Sequence, residues 1–162
     1  MNISSQPEQS NEVIDSFDGI FHFLSNFHPA PLRYEGLDYP TSEHAYQAAK
    51  TLDINQRMNI AMLETPGETK RYGKAVKMRG NWDEIKVEIM LNIVMAKFTQ
   101  NPHLLEKLLA TGDIELIEGN TWGDTFWGVC KGKGENFLGI ILMEVRNRLN
   151  KEKEDNGRLN KI

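Results

Sequence analysis

Cysteine is almost absent from this sequence, which has Cys130 alone among 162 residues. A single thiol excludes an internal disulfide framework. Histidine is scarce too, and the spacing of its residues does not match a set of metal ligands, so we expect no metal site. The four histidines are His22, His28, His44 and His103. A signal peptide and an apolar run of about 18 residues are also missing, so we expect no membrane-spanning segment and a cytoplasmic location.

The chain also lacks an excess of positive charge. The chain has 19 Lys and Arg residues against 23 Asp and Glu residues, which gives a net charge of −4. This balance excludes a broad basic field, and with it tight non-specific binding to nucleic acid or to an anionic membrane, although a local basic pocket is compatible with it. Hydrophobic residues form 40% of the chain and charged residues 26%, which indicates one globular domain with a single core.

The elements predicted along the chain are short β-ribbons first and helices afterwards. Turn signals at Asp18-Gly19 and Glu35-Gly36 predict two N-terminal ribbons. Residues 65–68 form a capping box with proline at the first helical position, which predicts a helix ending by Gly73. Further helices are predicted over residues 41–50, 55–64, 83–99 and 102–110, with a last helix after Asn136. We therefore expect a compact α+β domain that is predominantly α-helical. Its expected limits are residues 13–150, with flexible tails at 1–12 and 151–162.

Residues 41–50 are the most informative segment, and they read Thr-Ser-Glu-His-Ala-Tyr-Gln-Ala-Ala-Lys. An α-helix places Glu43, Gln47 and Lys50, at i, i+4 and i+7, along one face. The other positions include three alanines, where a helix usually turns bulky apolar residues toward a core. An aligned polar face of this kind is typical of a site where chemistry outranks stability. Taken alone, a lysine at a helix end is more often a solvated residue that the helix dipole favours.

A glycine-rich loop over residues 119–135 is the second candidate region. It combines Asp124 with Trp122, Trp127 and several glycines. Indole rings can stack on a base or a sugar ring, and glycines allow a close approach of the backbone to a ligand. The structural alternatives stay open, because a tryptophan can belong to the core and an aspartate can close a turn with its own backbone.

Two further segments carry weaker signals. Ser25-Asn26-Phe27 offers a hydroxyl and an amide beside an aromatic ring, and its alternative is a plain turn. Lys131-Gly132-Lys133-Gly134 precedes the predicted start of the last helix and could receive a phosphate. An ordinary flexible loop is the favoured interpretation of that segment, because it matches no phosphate-loop pattern.

An acid paired with a second acid or with an amine is what cleavage of a glycosidic bond requires. The leaving group needs a proton, the departing sugar needs negative charge nearby, and the attacking water needs a base. A desolvated lysine offers another route, since its amine can form a Schiff base with an opened sugar. Lys50 is placed for either function, as an electrostatic clamp or as a nucleophile.

The chain resembles the NADAR superfamily, and in particular its YbiA-like members. The resemblance covers about residues 17–149 and is carried by short motifs. These are Phe-Leu-Ser-Asn-Phe at 23–27, Tyr-Pro-Thr-Ser-Glu-His at 39–44, Gln-Ala-Ala-Lys at 47–50, Asn81-Trp82, Lys97-Phe98, Asp124 with Phe126-Trp127-Gly128, and Asn136 with Leu138-Gly139 and Leu142-Met143.

The resemblance implies a compact, largely helical fold and hydrolysis of a bond between ribose C1 and an exocyclic amine. YbiA-like members act on phosphorylated ribosylamino-pyrimidine intermediates of riboflavin synthesis, and other members remove ADP-ribose from guanine in nucleic acid. A small-molecule ribosyl phosphate or ADP-ribosylated nucleic acid is thus the expected substrate. No metal and no organic cofactor is implied, and the sequence leaves the oligomeric state open.

The resemblance also implies roles for particular residues. Glu43 is the expected catalytic acid or base, Asp124 an acid at the site, and Lys50 a covalent or electrostatic participant. The expected substrate-binding residues are Ser25, Asn26, Phe27, Gln47, Trp82, Trp127, Gly128 and Asn136. The loop departs from the family after Phe126, where more glycine and aspartate are expected, and this loosens the assignment of Lys131 and Gly132 to a phosphate site. The alternative function is a non-catalytic module that binds ADP-ribose or a nucleotide.

Overall fold

The computed structural model describes residues 12–161, in which helices dominate. The α-helices in this range are α1 (Ser42–Ala49), α2 (Ile54–Ala61), α3 (Pro66–Tyr72), α4 (Trp82–Gln100), α5 (Pro102–Ala110) and α6 (Phe137–Leu159). The strands are β1 (Val13–Ile14), β2 (Leu32–Tyr34), β3 (Leu37–Tyr39), β4 (Glu115–Leu116), β5 (Gly119–Asn120) and β6 (Val129–Cys130). The strands form three two-stranded sheets, β1 with β4 and β5 with β6 in parallel, and β2 with β3 antiparallel. The predicted α+β, mainly helical class is confirmed.

The first of the two predicted ribbons is wrong. The Asp18-Gly19 signal does not close a hairpin, because a 3₁₀ helix (Gly19–Leu24) follows it and β1 pairs with β4 instead. The physical reason lies in the burial pattern. Phe23 and Leu24 are adjacent and both buried, which a strand with one buried face does not permit.

The second predicted ribbon is confirmed. β2 and β3 form an antiparallel pair, and the turn between them contains Glu35 with φ 46° and Gly36 with φ 84°. Two successive left-handed residues match the twist of a tight hairpin. Shortly after β3, the Thr41 hydroxyl accepts a hydrogen bond from the backbone N–H of His44 at 3.2 Å and caps the first turn of α1.

Helix α1 lies in the interior of the domain. All eight of its residues are buried, and it packs against α2, α3 and α4. Ala45, Ala48 and Ala49 let these neighbours approach closely, as expected for small side chains. Glu43 and Gln47 are therefore buried together with the alanines.

Helix α4 is the centre of the packing, since it contacts α1, α5, α6 and β2. Its Lys97 is 1% exposed, and the ammonium donates hydrogen bonds to the carbonyls of Phe23 at 2.7 Å and Ser25 at 2.9 Å. Burial lowers the pKa of Lys97 to about 7. This side chain thus ties the end of the 3₁₀ helix to the core.

Helix α6 continues beyond the expected domain limit at residue 150. The segment 151–159 is helical, and all of its side chains are exposed. Its many Lys, Glu and Arg residues are good helix formers, which accounts for a helix without burial. The expected N-terminal tail lies outside the described residues apart from Glu12. The flexibility of both tails stays a prediction.

None of the helices between residues 12 and 161 is long and apolar enough to cross a membrane.

The approach of α3 to α1 depends on Gly73. A Cβ atom at this position would lie 2.0 Å from Gln47 Oε1 and 3.2 Å from Gln47 Cβ. We expect Gly73→Ala to lower the free energy of unfolding by about 1–3 kcal/mol, because the added methyl forces Gln47 or the backbone to move. Urea denaturation measures the change. Gly80→Ala is the control, since nothing lies within 4 Å of its added Cβ, and equal stabilities for both variants would contradict the prediction.

The buried ammonium of Lys97 predicts a pH dependence of stability. The pKa of Lys97 is about 7 in the folded protein, against an ordinary 10.5. Between these values the unfolded chain binds one more proton than the folded chain, so stability rises with pH by up to about 1.4 kcal/mol per unit. Urea unfolding from pH 6 to 9 should show the wild type gaining stability relative to Lys97→Met, a variant that keeps every other titratable group. Parallel pH profiles of the two proteins would disprove the prediction.

Candidate active site

A cavity of about 660 Å³ opens between α1, α3, the 3₁₀ helix and the loop that follows β4. Eight of the eleven predicted site residues line it. They are Ser25, Asn26, Phe27, Glu43, Gln47, Lys50, Asp124 and Trp127. The aligned face of α1 and the tryptophan-bearing loop, separated by about 75 residues, thus meet at one cavity.

The α1 wall contains a buried hydrogen bond between two predicted residues. Gln47 Nε2 donates to Glu43 Oε1 at 2.7 Å, and the two residues are 4% and 7% exposed. Burial raises the pKa of the Glu43 carboxyl, while the Gln47 hydrogen bond and the ammonium groups of Lys70 and Lys50 act in the opposite direction. Burial likewise lowers the pKa of Lys50, against the attraction of Glu43.

The segment with Ser25 and Asn26 forms the wall beside α1 and is held by it. The backbone N–H of Glu43 donates to Asn26 O at 3.1 Å, and the Ser42 hydroxyl donates to Asn26 Oδ1 at 2.9 Å. Ser25 Oγ accepts from the backbone N–H of Phe27 at 3.1 Å. Side chains predicted to bind substrate therefore also fix the shape of the wall.

Asp124 closes a turn with its own backbone, which was the alternative to a function in the site, and it also lines the cavity. Its Oδ1 accepts hydrogen bonds from the backbone N–H groups of Phe126 at 3.1 Å and Trp127 at 2.9 Å. Asn120 braces the same turn, since it accepts from Asp124 N at 3.0 Å and donates to Asp124 O at 2.8 Å. The two interpretations of Asp124 are thus compatible.

The tryptophans occupy three different environments. Trp127 is half-buried and meets the Tyr46 ring edge-to-face at 5.5 Å between centroids. Trp82 is 4% exposed and also packs against Tyr46, at 5.2 Å between ring centroids, but it lies outside the cavity lining. Trp122 lines the cavity and is 62% exposed, with the Lys70 ammonium 5.8 Å from its ring centroid. The indole with most free surface is therefore that of Trp122.

Two other predicted residues, Gly128 and Asn136, also lie outside the cavity lining. Both lie close to the backbone of Glu118. Asn136 Oδ1 accepts from the backbone N–H of Glu118 at 3.0 Å, and its Nδ2 donates to Leu116 O at 3.0 Å. A Cβ atom at Gly128 would lie 2.2 Å from Glu118 O. Substrate contact by Trp82, Gly128 and Asn136 stays a prediction. Lys131 is likewise outside the lining.

Glu118 is an acid of the cavity that the sequence analysis missed. Its Oε2 is buried and has no hydrogen-bond partner. Burial raises the pKa of Glu118 to about 8, and the nearby Asp124 and Glu43 carboxylates act in the same direction. The available signal was an acid two residues after the short strand β4 and directly before a glycine.

A basic wall on the α3 side was missed as well. Lys70, Arg71 and Lys74 line the cavity, and no ion pair among the residues described engages them. The signal was the position of these residues on and just after the helix that the capping box predicted. The cavity thus combines several acids with several cations, and Lys70 lies near enough to Glu43 and Glu118 to act on the pKa of both.

Metal-binding geometry is not found in the described range: no group of three or more His, Cys, Asp or Glu side chains there could hold an ion.

Comparison with known proteins places this geometry in a family. Residues 15–150 match the family model described as the NADAR domain. N-glycosidase YbiA of Escherichia coli (strain K12) is 40% identical over 133 residues, which cover 80% of this chain and 82% of the relative. Riboflavin biosynthesis protein PYRR, chloroplastic, of Zea mays is 32% identical over 148 residues, which cover 80% of this chain and 24% of that protein.

The fold has a solved counterpart. The NMR structure of the E. coli protein YbiA superimposes with a TM-score of 0.76 at 35% sequence identity, and the match covers 90% of this chain and 92% of that one. The sequence match over most of the chain and the shared fold lead to the same conclusion: this chain belongs to the NADAR domain family.

Proposed function

We propose that this chain hydrolyses the bond between ribose C1 and the exocyclic amine of a phosphorylated ribosylamino-pyrimidine. Its relatives in the NADAR family are named N-glycosidases at 40% identity, and the chain is an N-glycosidase on that ground. Relatives at 42% and 32% identity are named riboflavin biosynthesis proteins, which supports a pyrimidine intermediate of that synthesis as the substrate.

The observation that carries the proposal is the buried Glu43 carboxyl at the wall of the cavity. A buried carboxyl costs free energy unless other groups compensate for its lost hydration. Here Gln47 donates a hydrogen bond to it, and Lys50 lies further along the same helix face. A cavity-lining acid with a raised pKa is suited to exchange a proton with a bound substrate or with water.

The expected chemistry divides among three residues. Glu43 exchanges the proton that the reaction requires, either with the leaving amine or with the attacking water. The Asp124 carboxylate stabilises the positive charge that develops on the sugar as the C1–N bond breaks. Lys50 assists at the sugar, and the fall in its pKa on burial makes its amine more available than that of a solvated lysine.

The basic wall supports a phosphorylated substrate. Lys70, Arg71 and Lys74 bring three cations without ion-pair partners to one side of the cavity. A phosphate held there would keep the sugar carbon in the same cavity as the acids. Trp122 offers its exposed ring at the same cavity, where a departing heterocycle could stack.

ADP-ribosylated guanine in nucleic acid is the second substrate to compare. Its linkage is also between ribose C1 and an exocyclic amine, and a base presented outside the duplex needs only a small contact area. The net charge of −4 disfavours a wide nucleic-acid footprint. The names of the relatives make the metabolite the first choice.

Replacing Glu43 by glutamine should abolish most turnover without unfolding the protein. A neutral amide keeps the shape of the side chain but cannot transfer a proton, so we expect the rate to fall by about 10²- to 10⁴-fold. Sugar release from the ribosylamino-pyrimidine phosphate measures it, with circular dichroism to verify the fold. Glu88→Gln, at an exposed position on α4, serves as the control. Turnover near the wild-type rate in Glu43→Gln would remove Glu43 from the mechanism.

The same assay separates the candidate functions. Wild-type protein is incubated in parallel with the ribosylamino-pyrimidine phosphate and with ADP-ribosylated guanine DNA. Release of sugar from the first alone supports the proposal, and release from the second alone assigns the repair reaction instead. A module that only binds would release neither sugar, yet would bind ADP-ribose with equal affinity in wild type and Glu43→Gln by calorimetry.

Removing the cations of α3 should weaken substrate binding more than it slows turnover. We expect Arg71→Ala to raise KM for the phosphorylated substrate by about tenfold, because one charge-assisted contact is lost, with kcat nearly unchanged. The substrate without phosphate should show no such change. Lys77→Ala provides the matched control, since Lys77 is exposed and outside the cavity lining. Equal KM values in all variants would place the phosphate elsewhere.

A further inference from the structure

The backbone of Glu118 is held by hydrogen bonds, whereas one oxygen of its carboxyl has no hydrogen-bond partner. At its backbone, Asn136 accepts from the N–H at 3.0 Å, and the N–H of Val129 donates to the carbonyl at 2.8 Å. Its carboxyl lines the cavity, where Oε2 is buried and has no hydrogen-bond partner. A buried polar atom without a partner is rare in folded proteins and calls for a functional explanation.

Glu118 and Glu43 share the cavity but differ in their partners. Burial raises the pKa of both carboxyls, but at Glu43 the hydrogen bond from Gln47 and the cations Lys70 and Lys50 oppose that rise. Glu118 has no donor at Oε2, which favours a carboxyl that keeps its proton. Two carboxyls whose surroundings push their protonation states apart can serve as the acid and the base of one reaction.

We propose that Glu118 is the general acid of the cleavage and that Glu43 is the base. The proposal rests on the N-glycosidase function above. The Glu118 carboxyl donates its proton to the exocyclic nitrogen, and the electron pair of the C1–N bond leaves with that nitrogen. A water oxygen then bonds to C1 and gives a proton to the Glu43 carboxylate. The products are the free amine and a sugar with a hydroxyl at C1, after which solvent returns a proton to Glu118 and removes one from Glu43.

The protonation state of Glu118 at neutral pH agrees with this role. Burial raises its pKa to about 8, the Asp124 and Glu43 carboxylates raise it too, and Lys70 opposes them. Because the folded pKa lies near 8, the acid form is abundant at pH 7 and declines above pH 8. The wild-type rate should therefore fall on the alkaline side with an apparent pKa that belongs to the coupled acids.

The assignment also accounts for two predicted residues that lie outside the cavity lining. Asn136 fixes the backbone of Glu118, and the missing side chain at Gly128 leaves room for the Glu118 carbonyl. Both are positioning residues for the acid.

The test compares Glu118→Gln, Glu43→Gln and the control Glu115→Gln, whose side chain is exposed on the neighbouring strand β4. Each is assayed on the ribosylamino-pyrimidine phosphate and on nicotinamide mononucleotide, a ribosyl phosphate whose leaving nitrogen is already positively charged and needs no proton. We expect the rate of Glu118→Gln to fall by about 10²- to 10⁴-fold on the first substrate and by less than about tenfold on the second. The alkaline fall of the rate should be absent in this variant. Glu43→Gln should be slow on both. Glu118→Asp should keep the alkaline fall at a reduced rate.

Each remaining outcome is decisive. Wild-type rates in Glu118→Gln on both substrates, or an equal loss on both with an unchanged pH profile, overturn the acid assignment while the N-glycosidase function stands. A wild-type protein that cleaves neither substrate overturns the proposed function, and this assignment with it. Circular dichroism and thermal unfolding verify that each variant is folded, and Glu118→Asp decides the case if Glu118→Gln does not fold.

Discussion

The hydrogen bond from Gln47 to Glu43 inside a fully buried helix is the interaction on which the cavity depends. Burial makes the acid chemically useful, since it raises the pKa of Glu43, but it also removes the hydration that a carboxyl requires. The 2.7 Å contact with Gln47 replaces part of that hydration. The surroundings of this hydrogen bond leave little space. The alanines of α1 lie against its neighbours, and Gly73 at the end of α3 lies against Gln47.

The cavity brings together charges of both signs. Its acids come from α1, from the loop after β4 and from Asp18, and its cations come from α3 and from Lys50 at the end of α1. The proposed substrate carries a phosphate and an aminated sugar carbon, and a cavity with both cations and acids suits such a molecule. The net charge of −4 conceals the cations of the cavity, because opposing charges cancel in the total.

Local signals in the sequence predicted most helices well. Features that depend on contacts between residues far apart in the chain were harder to predict. The capping box gave α3, and the i, i+4, i+7 spacing gave the polar face of α1, because both depend on neighbours within one or two turns. The hairpin expected at Asp18-Gly19 failed because Lys97, more than 70 residues away, holds the carbonyls of this region. Glu118 and Lys70 escaped notice for the same reason, since only the tertiary fold brings them to the cavity of Glu43.

Motif residues outside the cavity are understood once Glu118 is included in the site. Trp82 packs against Tyr46, Asn136 binds the backbone N–H of Glu118, and Gly128 leaves room for the Glu118 carbonyl. A sequence motif marks residues on which a site depends, whether or not they touch the ligand. Glu118 connects Asn136 to the cavity, because its backbone N–H donates to Asn136 and its carboxyl lines the cavity together with those of Asp124 and Glu43. In the proposed mechanism, the loop after β4 therefore links the start of α6, where Asn136 stands, to the chemistry at the sugar carbon.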